Sequence, residues 1–154
     1  MHLIVRAAAL LAASILMLSF AGSAAMAGNA QEEANRQAVL AFYEKGLNQK
    51  DADAAIAYVG NRYVQHNPNA GDGPEGFRKF IGFLREKFPN SHSEIKRSFV
   101  DGDYVILHVH AVREPGTRGN AIIDIFKLEN GKIVEHWDAV QAIPETSANS
   151  NTMF

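Results

Sequence analysis

The hydrophobic period of this chain changes once, at Pro89, and that change limits the folds open to it. Before Pro89 the apolar residues recur at helical spacing. Phe77, Phe80, Ile81, Leu84 and Phe88 fall at i, i+3, i+4, i+7 and i+11, one stripe of a helix that Pro74 opens and Pro89 ends. After Pro89 the period is two. "SEIKRSFV" and "YVILHVHAVRE" flank Asp101-Gly102-Asp103, and "AIIDIFKLE" and "KIVEHWDAVQAI" flank Asn130-Gly131, which reads as two hairpins. Upstream, Val39, Phe42, Tyr43 and Leu47 share a first helix, within which Gly46 implies a close neighbour. Asp51 caps a short second helix expected to run through Ile56, Tyr58 and Val59 to Gly60, and "RYVQHNP" is a short extended piece. Helices followed by strands give an α+β fold, with three N-terminal helices on one face of a curved antiparallel sheet.

The N-terminus stands apart. A short basic start, the apolar run "AAALLAASILMLSF" and the exit Ala25-Met26-Ala27 read as a signal peptide cleaved before Gly28. The expected product is exported, periplasmic or secreted, with no membrane attachment after cleavage. The sequence has no cysteine, so the fold rests on its hydrophobic core, without disulfides or a lipid anchor. Beyond residue 27 about 14 basic side chains face 17 acidic ones, and no basic stripe appears, which argues against nucleic acid. Residues 28–144 form one expected domain, and the polar stretch 145–154 a flexible tail.

In "GKIVEHWDAVQ" His136 and Asp138 are two positions apart on a strand and so share a face, with Trp137 on the other. The loop sets what they oppose. A three-residue loop, Glu129-Asn130-Gly131, pairs Asp124 with His136 and Phe126 with Val134, and collects three polar groups in one apolar patch. A strict Asn-Gly loop would instead put Asp124 opposite Trp137. The three-residue loop is the expectation.

The stretches "FYEKGLNQKDADAAIAYV", "YVQHNP", "DGDYVILHV" and "DIFKLENGKIVEHWD", in this order, resemble the nuclear transport factor 2-like superfamily and, within it, the SnoaL-like group. The resemblance implies a cone-shaped α+β barrel around a pocket. It also implies proton transfer next to a carbonyl, as in ketosteroid isomerases and polyketide cyclases. Tyr43 matches the isomerases' tyrosine donor, His66 the position of their base, and Asp124 their protonated aspartic acid. Asp138 matches the acid–base aspartate of the cyclases. The expected substrate is a small apolar carbonyl compound, with no cofactor and no metal.

His66 is the first expected base, since imidazole can take a proton near neutral pH, and Asp138 the second. Asp124 and His136 form a structural pair, an acid for a developing oxyanion, or both, and an unpaired buried charge would be costly. Tyr43, His108, His110, Phe80, Leu84, Phe126 and Val140 are expected to line the pocket. His108-x-His110 with His136 and a carboxylate could hold zinc or iron, and Arg97 could reach an anion. Trp137, Ile123 and Ile125 suit a subunit interface and an expected homodimer. A binding protein with the same pocket and an epoxide-type hydrolase are the alternatives.

Overall fold

The computed structural model describes residues 30–154; the expected signal peptide lies outside them. Helix α1 spans residues 30–43 and widens at its end into a π-turn, Glu44–Asn48, closed by Gln49 N–H donating to the Glu44 carbonyl at 2.9 Å. Gly46 sits in that turn for the reason its position implies. A Cβ there would stand 2.7 Å from Phe77 Cζ. Helix α2 (Ala52–Ile56) is capped by Asp51, whose carboxylate accepts from Ala54 N–H at 2.9 Å. It ends sooner than its apolar spacing suggests. Val59 and Gly60 already belong to strand β1 (Val59–Gln65), because pairing with the sheet outweighs one more helical turn. Helix α3 (Gly73–Lys87) follows Asp72 with Pro74 in its first turn and buries Phe77, Ile81 and Leu84.

Strands β2 (His92–Asp101), β3 (Tyr104–Val112), β4 (Asn120–Glu129) and β5 (Lys132–Ala142) form an antiparallel meander. β1 joins it parallel to β5, giving the order β1-β5-β4-β3-β2 and a mixed sheet where a wholly antiparallel one was expected. The helices cover one face. Phe42 bridges the layers, its ring 4.8 Å from Phe77 and 5.8 Å from Phe126. Val105, Leu107 and Val109 lie beneath, fully buried. Each such side chain contributes on the order of 1.5–3 kcal/mol.

The last hairpin differs from expectation in its turn. It is a two-residue loop, with Asn130 and Gly131 both left-handed (φ 52° and 72°) and Glu129 paired with Lys132. Continued unbroken, that register would put Asp124 opposite Trp137. An irregularity opposite Lys127 and Leu128 adds one residue to β5 around Val134, so Asp124 pairs with Asp138 and Phe126 with His136. The extra residue restores the parity of the faces. Asp124, His136 and Asp138 lie on the helix-covered face, and Trp137 lies outside with Ile125.

Candidate functional site

The inner ends of β4 and β5 carry a connected set of polar side chains. Asp124 and His136 are buried, 4% and 8% exposed, in a patch otherwise formed by Phe42, Phe126 and Ile122. Tyr43 Oη on α1 donates to Asp124 Oδ2 at 3.1 Å, and Asp124 Oδ1 lies 2.9 Å from His136 Nε2. His136 Nδ1 lies 2.8 Å from Gln65 Oε1 on β1. Gln65 Oε1 also accepts from the backbone N–H of Asn67 at 2.9 Å, while its amide nitrogen donates to Tyr63 Oη.

These contacts fix the protonation of the imidazole. A backbone N–H is always a donor, so the atom it meets is the Gln65 oxygen. That oxygen can only accept from His136, which therefore carries a proton on Nδ1. Between Nε2 and Asp124 there must then be one more proton, since a bare nitrogen lone pair would not face a carboxylate oxygen at 2.9 Å. The pair is either carboxylate with imidazolium or carboxylic acid with imidazole. Either way one proton sits at the inner end of the hollow.

Asp138 is placed differently. Its Oδ2 accepts from the Asn67 amide at 2.6 Å, and among the described residues its Oδ1 has no hydrogen bond. The side chain is only partly buried. Oxygen and nitrogen atoms of Asp124, His136 and Asp138 all lie within 4.8 Å of one another, a donor set of two carboxylates and an imidazole. Asp124 and His136 already face each other directly, so an ion would have to part them.

The three groups face a small hollow of about 70 Å³ between sheet and helices, lined also by Tyr63, Phe80 and Arg113. It shares Gln65, Phe80, Arg113, Ile122, His136 and Asp138 with a wide cleft of about 980 Å³ whose outer wall includes Phe83 and Val140. Burial holds the Tyr43 hydroxyl well above the usual tyrosine range, with the charge of Asp124 adding to the effect. Tyr63 is raised chiefly by burial as well. Burial draws the Arg113 guanidinium down.

Several expected site residues lie elsewhere. His66 is outside the hollow. Its ring stacks on Trp137 at 4.7 Å on the outer face, and its Nε2 meets Glu135 at 2.8 Å. Pairing of Gln65 with His136 turns Gln65 inward, so strand alternation turns His66 outward. His108 and His110 are outward too. Their rings pack on Phe154 at 5.2 and 4.8 Å, and His110 Nε2 donates to the Arg118 carbonyl. They cannot meet His136 through the sheet, so the zinc or iron set suggested by their spacing is not assembled. Phe154, at the end of the stretch 145–154, thus lies against the outer side of the sheet. Arg97 pairs with His108 on the same outer side. Leu84 is core, 1% exposed, and borders a minor void of about 30 Å³. Tyr43, Phe80, Phe126 and Val140 do line the hollow or cleft. Gln65, Asn67, Tyr63 and Arg113 were not anticipated. The alternation of Val105, Leu107, Val109 and Ala111 places position 113 on the inner side, which is the signal that could have found Arg113.

The family model for the SnoaL-like domain matches residues 39–136, from within α1 through β4 and into the first half of β5. The chain belongs to the SnoaL-like family. No curated protein matches it. Among solved structures, a candidate polyketide cyclase from Bacillus cereus ATCC 10987 is 23% identical with a TM-score of 0.62, over 70% of this chain and 74% of that one. A SnoaL-like candidate polyketide cyclase from Jannaschia sp. CCS1 is 19% identical with a TM-score of 0.59, over 71% and 86%. An uncharacterised cystatin-fold protein from Novosphingobium aromaticivorans is 22% identical with a TM-score of 0.59, over 68% and 97%. At these identities the likeness is one of fold. This SnoaL-like chain has the α+β cone of its relatives, helices on one side of a curled sheet.

Proposed function

We propose that this SnoaL-like protein moves a proton beside the carbonyl of a small, largely apolar ligand, in an isomerase, aldol-type cyclase or lyase step, with Asp138 as the base. The observation that carries the reading is the placement of Asp138. It lies where hollow and cleft meet, one oxygen held by Asn67 and the other without a protein partner among the described residues. A carboxylate so held can take a proton from a carbon next to a carbonyl. Asp124 and His136 line the same hollow, and transfer of the proton they share would neutralise the oxygen on which negative charge develops. Tyr43 stays protonated and holds Asp124 in place.

The test is deuterium exchange at the methyl group of acetophenone in heavy water, followed by NMR. The wild-type protein is expected to accelerate it well beyond buffer containing an equal amount of unrelated protein. No acceleration for acetophenone or for a panel of cyclic ketones would remove the reading. The Asn67 amide on the Asp138 carboxylate supports a second reading, a hydrolase in which the two hold an attacking water. Oxygen-18 incorporation from water into the diol of styrene oxide tests that reading. Ligand binding with neither activity would leave a binding protein.

A further inference from the structure

Arg113 follows Ala111 on the inner row of β3, just past the strand end. Its guanidinium lies 5.5 Å from the centre of the Phe80 ring and borders both the hollow and the cleft. No carboxylate among the described residues forms an ion pair with it. Of the two acids that line the same hollow, Asp124 is bonded to Tyr43 and His136 and Asp138 through one oxygen to Asn67, and neither forms an ion pair with the guanidinium. A half-buried guanidinium has five donors in a planar fork matched to a carboxylate, and ordinarily finds one.

We propose that Arg113 anchors a carboxylate on the ligand, so that the cleft takes carbonyl compounds bearing an acid group. The carbonyl half of that description rests on the proposed proton transfer; the anionic half stands on Arg113 alone. Burial, which already disfavours the guanidinium charge, adds to its demand for an anion. The aromatic side chains Phe80, Phe83 and Phe88 along the cleft supply the apolar surface for the ligand body. The competing explanation is that Arg113 only offsets the charge of Asp124 and Asp138. In that case its loss would weaken the fold without changing which ligand is preferred.

The experiment uses 4-acetylbenzoate and its methyl ester, titrated calorimetrically into the wild type, Arg113→Met and Arg113→Lys, each checked by a melting curve. The wild type is expected to bind the acid at least about tenfold more tightly than the ester. Arg113→Met should lose that preference while keeping its affinity for the ester. Arg113→Lys should retain part of it, since an ammonium keeps the charge but not the fork. Equal binding by the wild type, a tighter ester, an intact preference in Arg113→Met, or no binding of the acid at millimolar concentration would each overturn the proposal. Binding is read without turnover, so a failed deuterium exchange with the acid preference intact removes the proton-transfer reading and leaves the anion site standing.

Discussion

Gln65 is the residue on which the chemistry of the hollow turns. By accepting from both the Asn67 N–H and His136, it assigns the imidazole its Nδ1 proton and sends Nε2 toward Asp124. The sequence shows that Gln65 and His66 face opposite ways, but not which faces inward. That depends on β1 pairing with β5, some seventy positions away. The resemblance favoured His66, and the register puts Gln65 there instead. A second residue-scale consequence concerns Tyr43. Its folded-state value is raised above that of the unfolded chain, so its stabilisation is fully present below the ordinary tyrosine range and is lost as pH rises through and beyond it. Lys50, drawn down by burial, acts in the opposite sense as pH approaches the ordinary lysine value. The difference between wild type and Tyr43→Phe isolates the phenol. Urea unfolding from pH 8 upward should show the wild type losing stability on the variant as pH rises. A constant gap would contradict this.

At the scale of elements, the helices were legible because their apolar spacing is what buries them: Val39, Phe42, Phe77, Ile81 and Leu84 are all core. The shared face of Asp124, His136 and Asp138 was legible through strand alternation. The turn that was expected to produce it was not the one that does. A two-residue loop and an extra residue near Val134 reach the same parity, and nothing in "KIVEHWD" marks a bulge. Helix α3 positions the site through its first turn, against which residues 66–72 fold back. A Cβ on Gly76 would come within 2.1 Å of the Gly71 carbonyl oxygen, backbone that cannot turn aside as a side chain can. Gly76→Ala should therefore destabilise the protein by about 1–3 kcal/mol in urea unfolding. It should also slow any turnover, because the displaced segment carries Asn67 and its bond to Asp138. A variant as stable and as active as the wild type would show that this segment does not hold the site.

Across the whole molecule the sheet divides two tasks. Its inner face gathers the polar groups at the hollow. Its outer face carries a row from Phe99 through Ile106 and Ile125 to Trp137, beside Ile123 and Tyr104. Phe99, Tyr104 and Ile123 are 56%, 41% and 40% exposed, an apolar surface that we propose is covered by a second copy of the chain. Size-exclusion chromatography with light scattering should find a dimer, and Ile123→Asp should shift it toward monomer; a wild-type monomer would contradict this. His66 belongs to that outer face, so the division of labour makes opposite demands on two residues one strand apart. The rate of deuterium exchange into acetophenone in Asp138→Asn and His66→Ala compares them directly. The account predicts a loss of roughly 100- to 10,000-fold in Asp138→Asn and a rate close to wild type in His66→Ala. Wild-type exchange in Asp138→Asn, or a comparable loss in His66→Ala, would contradict it.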